Sequence, residues 1–201
     1  MMMGLFSKKP KYKSKSLKII VNGKEKEMKL DLEKKTVWID PDKLDFDGQI
    51  LNYQKGYYLA QGQSEKYSAY AYFTDTMLIC CKEMEDGIEY SDILEDGTLL
   101  FITDAYDFYI IGSDGKQQSK CAIGFEIENR EFVYPYYFAY GWSDEGYAAL
   151  WVYNIETKKA WSKKVEPDVL CEDFTVDYRN DTFTIRISEQ FVTFDSDGKK
   201  L

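Results

Sequence analysis

The chain contains no histidine. The commonest general base, the usual activator of a serine or cysteine nucleophile and the commonest metal ligand are therefore missing together. Neither G-x-x-x-x-G-K-[ST] nor G-x-G-x-x-G occurs, so no phosphate-cradling loop is expected. Cysteine is scarce: Cys80, Cys81, Cys121 and Cys171 have neither the density nor the spacing of a secreted disulfide framework. An adjacent pair without histidine does not make a zinc site, so these thiols read as reduced, strand-packed hydrophobes. No apolar run approaches the roughly 18 residues of a membrane-spanning helix, and the start lacks the apolar stretch of a secretory signal. Cytoplasm is the expected compartment. From these absences no catalytic residue, no cofactor and no metal site is assigned.

What is present is a mixture of 44% hydrophobic and 30% charged residues in 201, enough for one folded core without staples. Six lysines, from Lys8 to Lys18, precede the first acidic residue, Glu25. Residues 1–16 read as a basic flexible tail and 17–201 as a single all-β domain. The net charge of −9 becomes −15 once those six lysines are set aside. So acidic a body disfavours nucleic acid, which needs Lys/Arg clusters on a formed surface, and favours a basic protein partner.

Period-2 alternation bounded by turn residues dominates. Thr182–Ile187 places Phe183, Ile185 and Ile187 on one face. Leu17–Val21, Asn22-Gly23 and Lys24–Leu30 read as a hairpin, because Asn-Gly takes the positive φ angles of a tight turn. Only Leu30–Lys35 and Pro167–Cys171 offer short helical stretches. Asp45-Phe46-Asp47-Gly48 and Asp195-Ser196-Asp197-Gly198 resemble half a calcium loop, but lack its distal glutamate and read as Asp-Gly turns.

One pattern recurs. Tyr109–Lys116, Trp151–Lys158 and Val192–Lys199 each run from large residues through Gly/Asn/Asp and one further position to an acid, a turn residue and lysine. The turn positions Gly115, Thr157 and Gly198 are 42 and 41 residues apart, and Ala69–Lys82 gives a weaker copy with its turn at Thr74–Thr76. Four sheets are expected, within Tyr57–Lys82, Leu99–Ile123, Phe132–Val165 and Phe174–Leu201, at the period of propeller blades. Val152-Tyr153-Asn154-Ile155-Glu156-Thr157-Lys158 resembles the third-to-fourth strand turn of WD-repeat and quinoprotein-type β-propellers. That resemblance implies a small propeller of four or five sheets and no particular activity; an antiparallel meander or β-sandwich is the alternative. In a closed ring the N-terminal hairpin would complete the last sheet and clasp the two chain ends.

Two tyrosine-rich segments remain, Tyr67–Phe73 and Phe132–Trp142. Alternation sends about half of each to a core and leaves half for a binding face, placed at Tyr134, Tyr136, Tyr140 and Trp142. Together with the acidic body, this reads as a non-enzymatic protein-binding module, of the inhibitor or immunity type, for a basic partner. A carbohydrate-binding or carboxylate-pair carbohydrate-active β protein is the alternative. Trp151 and Phe183 are the expected core anchors.

Overall fold

The computed structural model describes residues 15–21, 23–39, 46–64, 67–165, 174–187 and 189–201. Among these there is no helix, and so none long and apolar enough to cross a membrane. Eighteen strands form four sheets. The first holds β1 (Lys15–Val21), β2 (Lys24–Asp31), β3 (Thr36–Ile39), β4 (Phe46–Gln54), β5 (Tyr57–Ser64), β6 (Tyr67–Thr74) and β7 (Leu78–Glu83) in chain order. The second runs β11 (Gln117–Ala122), β10 (Asp107–Ile111), β9 (Leu99–Thr103), β8 (Ile88–Ile93). The third is β12 (Glu126–Val133), β13 (Tyr136–Trp142), β14 (Ala148–Asn154) and β15 (Lys159–Lys164), and the fourth β16 (Phe174–Arg179), β17 (Thr182–Ile187) and β18 (Gln190–Asp195). The residues cluster into two compact units, Met1–Ala105 with Tyr109–Gln118, and Tyr106–Phe108 with Ser119–Leu201.

In the first unit the seven-stranded meander curls until its outer strands meet. The Ile20 N–H donates to Thr76 O at 3.1 Å, and Ile20 bridges Met77 in parallel. Alternate side chains point inward: Ile19, Met28, Leu30, Val37, Ile39, Phe46 and Phe73 are all buried in one cluster. Tight coiling needs small residues where strands crowd. A Cβ at Gly62 would lie 1.9 Å from Asp47 O, so only glycine fits opposite Gly48 in the β4–β5 register. A bulge between Ile50 and Asn52 re-aims Asn52, whose Nδ2 donates to Ser91 O at 2.9 Å. Strand β6 is covered on both faces. Ala69, Ala71 and Phe73 join the inner cluster, while Tyr70 and Tyr72 pack with Leu99, Phe101 and Ile111.

In the second unit Phe138, Leu150 and Val152 meet Phe183, Ile185, Val192 and Phe194 in one core. The other face of β13 and β14 carries Tyr137, Trp151 and Tyr153, whose rings lie 5.0–5.3 Å from that of Phe108. Trp151 and Phe183 are both buried, as expected.

The sequence repeat is structural. Its three copies are the turns that follow the third strand of the second, third and fourth sheets: Gly112–Lys116 after β10, Asn154–Lys158 after β14 and Asp195–Lys199 after β18. The weaker copy is different, for Thr74–Thr76 joins β6 to β7 inside the seven-stranded sheet. Four sheets are present, but Tyr57–Lys82 is not one by itself, because β5 pairs with β4 and continues the N-terminal meander. The N-terminal hairpin does not complete the last sheet. Its β2 pairs with β3, which buries Met28 and Leu30 in the meander's core instead.

Two local expectations also change. Leu30–Lys35 is strand end and turn, closed by Asp31 Oδ1, which accepts from Glu33 N and Lys34 N. Phe46-Asp47-Gly48 lies within β4 rather than in a turn, paired with β3 and β5. Pro167–Cys171, like Asn22 and Asp45, falls outside the described residues.

Candidate functional site

The four aromatic residues placed on a binding face separate in the structure. β13 is a central strand between β12 and β14, and sheet or core covers it on both faces. Tyr136 is only 6% exposed, with its ring 4.6 Å from Phe183 and 5.1 Å from Tyr178. Tyr140 is fully buried and stacks on Phe174 at 5.7 Å. Both are core side chains, which corrects the expectation of exposure. Trp142 is half-buried at the far end of the strand, and its Nε1–H is buried without a hydrogen-bond partner among the described residues. Tyr134 alone is open, 61% exposed, and its hydroxyl donates to Glu156 Oε1 at 2.9 Å. Seven residues of strand hold Tyr136 and Trp142 about 20 Å apart, at opposite ends of β13.

Around Tyr134 and Tyr136 four turns of the second unit gather at one end. The Ile155 N–H donates to Pro135 O at 2.8 Å, tying the β12–β13 turn to the β14–β15 turn. The Ser196 N–H donates to Asp181 O at 3.0 Å, tying the β16–β17 turn to the one after β18. Between them lies a cleft of about 330 Å³. Trp161 and the buried edge of Tyr136 form its aromatic wall, and Asn154, Thr157, Lys159 and Asp197 supply its polar groups. Asn154 Oδ1 accepts from the N–H groups of Glu156 and Thr157, both at 2.9 Å, which holds the amide with its Nδ2 as the remaining donor. Trp161 Nε1 donates to Ser196 O at 3.2 Å. Sequence reasoning missed Trp161, Asn154 and Asp197 as a group. The signal was the repeat itself, since Asn154 and Asp197 sit in two of its copies.

The first unit carries the charge. Between Asp75 and Asp114 the sequence has eleven acidic residues and one lysine, Lys82. The Gly87 N–H donates to Asp104 Oδ2 at 3.1 Å and the Asp104 N–H to Gly87 O at 2.9 Å, so the β7–β8 turn lies against the β9–β10 turn. That brings Glu83, Glu85, Asp86, Glu89 and Asp104 to one end, none in an ion pair with a described cation. Acids at the opposite turn are partly compensated, as in the Lys55–Glu95 ion pair. Among the described residues no group of three or more Cys, Asp or Glu side chains is arranged to hold a metal ion. The described thiols are quiet, since burial pushes Cys80 and Cys121 up to about 11 and Cys81 to about 12.

No family model and no curated protein matches the chain. Among solved structures, the WD40 domain of Toxoplasma gondii coronin aligns with 87% of this chain at a TM-score of 0.50 and 7% identity. The fold is β-propeller-like. The chain spans 54% of the length of that domain, and at such identity the likeness is one of fold. A Bacteroides caccae protein of unknown function also aligns, over 88% of this chain and 76% of its own, at a TM-score of 0.32 and 12% identity. The cleft and the acidic end are both built from inter-strand turns and the strand ends beside them, where a sheet scaffold leaves side chains free to vary.

Proposed function

We propose that this propeller-like chain is a non-enzymatic protein-binding module that takes a basic protein partner, in the manner of a cytoplasmic inhibitor or immunity-type protein. The observation that supports this reading is the acidic end of the first unit, where Glu83, Glu85, Asp86, Glu89 and Asp104 stand without ion-pair partners among the described residues. Like charges held together in a folded protein cost stability, and an approaching basic surface relieves that cost. Their long-range field would speed encounter, while short-range packing would set the lifetime of the complex.

The test is capture of partners from native lysate on the immobilised chain, then association kinetics over a range of salt. Basic partners are expected, with an on-rate that falls about tenfold or more from low to physiological salt. A variant carrying Glu83→Gln, Glu85→Gln and Asp86→Asn should start slower and respond less to salt. Neutral or acidic partners alone, or a triple variant with the parent's salt dependence, would remove the reading.

A further inference from the structure

We propose that the turn-lined cleft of the second unit, between Trp161 and Asp197, binds a neutral saccharide. The inference is independent of the acidic end, which contributes nothing to this site.

The aromatic wall is fixed before any ligand arrives. Gly198 lies flat against the indole, since a Cβ there would come within 2.7 Å of Trp161 Cδ2. The ring nitrogen is held by Ser196 O, and Phe194 packs at 5.7 Å between centroids. The ring cannot turn, and the half-buried remainder of its surface lines the cleft. A rigid aromatic platform loses little entropy on binding, and the C–H faces of a sugar ring are the apolar surface such a platform accepts.

The polar groups are mixed in the way a polyol requires. Asn154 has spent its oxygen on two backbone N–H groups, leaving Nδ2 to donate. Lys159 also donates, and the Asp197 carboxylate accepts; neither has an ion-pair partner among the described residues. Thr157 and Ser196 can do either. Adjacent hydroxyls on a sugar both donate and accept, so they can satisfy this set together. One lysine and one aspartate leave the site electrically balanced. A phosphate or carboxylate ligand would meet one cation beside an anion, and a cationic ligand the converse. The volume, about 330 Å³, lies at the small end of ligand pockets and suits about one or two sugar rings.

The experiment titrates the full chain with glucose, galactose, N-acetylglucosamine and their common disaccharides, followed by calorimetry and by amide chemical shifts. Glucose 6-phosphate, a free amino acid and inorganic phosphate serve as charged comparators. Saturable binding of at least one neutral sugar is expected, weakened about tenfold or more by Asp197→Ala, the loss of one charge-assisted hydrogen bond. Trp161→Phe should weaken it too, and Tyr53→Ala, an exposed tyrosine of the first unit, should not. Asp197 is exposed, so an unchanged Tm keeps its variant informative if Trp161→Phe misfolds. Absence of binding up to about 10 mM sugar, a Kd beyond ordinary recognition, would overturn the assignment. So would binding indifferent to Asp197→Ala, or preference for a charged comparator.

Discussion

Strands β13 and β17 share one core in the second unit, yet they obey different sequence rules. In β17 every second residue is buried, Phe183, Ile185 and Ile187, while Thr182, Thr184 and Arg186 are half-exposed. In β13 six consecutive residues, Tyr136–Gly141, are buried. The difference lies in what covers the sheet. β17 has one packed face, whereas β13 packs Tyr136, Phe138 and Tyr140 on one side and Tyr137 against Phe108 on the other. Alternation therefore still governs direction in β13, but both directions lead inside. Its tyrosines fit because their hydroxyls reach partners at the margins. Tyr137 Oη accepts from Arg130 Nη1 at 3.1 Å, and in the equally tyrosine-rich β6 the Tyr72 hydroxyl donates to Gly97 O at 2.8 Å.

The comparison breaks most readily by truncation. Phe183→Ala, which empties a site ringed by Tyr136, Phe138 and Tyr178 within 5.2 Å, should cost about 3–5 kcal/mol in denaturant unfolding, and Tyr136→Ala a similar amount. Tyr134→Ala, only two positions away and exposed, should stay within about 0.5 kcal/mol. If Tyr136→Ala were as mild as Tyr134→Ala, β13 would be a one-faced strand after all.

A smaller effect separates two turns of the same form. Gly146 and Gly198 share φ +79°, and each donates its N–H three residues back, to Ser143 and Asp195 respectively. A Cβ at Gly146 meets nothing within 4 Å, so Gly146→Ala should cost only the left-handed backbone penalty, about 1–2 kcal/mol. Gly198→Ala adds the clash with the Trp161 ring and should cost more by about 1–3 kcal/mol, with a blue or red shift in tryptophan emission as the reporter. Equal costs would mean that the indole does not rest on Gly198.

The smallest effect sits on β12, beside β13. Burial holds the Glu131 carboxyl above its ordinary value, although the Val176 N–H, at 2.6 Å, pulls the other way. The folded chain then keeps that proton longer than the unfolded one, so stability falls as pH rises from the ordinary carboxylate value of 4.5 through the raised one. Glu131→Gln keeps an acceptor for Val176 and loses the titration. Its denaturation midpoint should gain on the parent's across that window and then run parallel to it toward neutrality. A gain in the opposite direction would make the hydrogen bond, not burial, the stronger influence.

Much of the fold was legible because turns and one-faced strands are local. Asp114-Gly115 and Asp197-Gly198 mark real turns, and the 41–42-residue spacing marks real sheets. The same turn also closes Leu94–Thr98 and Ser143–Tyr147, where Asp96-Gly97 and Glu145-Gly146 carried the signal unused. What sequence concealed was tertiary. Nothing in Tyr136 or Tyr140 says that a second layer covers them, and nothing in Lys24–Leu30 says that β3, rather than β18, lies alongside. The cleft was hidden for a similar reason, since Asn154 and Asp197 are 43 positions apart and meet only through packing.

The join between β1 and β7 has a dynamic consequence. Neighbouring strands of the seven-stranded sheet share ladders of at least four paired residues, whereas among the described residues this join has the single bridge Ile20–Met77 and the bond from Ile20 N–H to Thr76 O. Breathing of the sheet should therefore begin there, at a free energy far below that of global unfolding. The Ile20 amide would act as a sentinel, trading its hydrogen for deuterium long before the amides of β5 and β6, each held between two partner strands. The meander is in this sense a cylinder with a zip, fastened at one tooth.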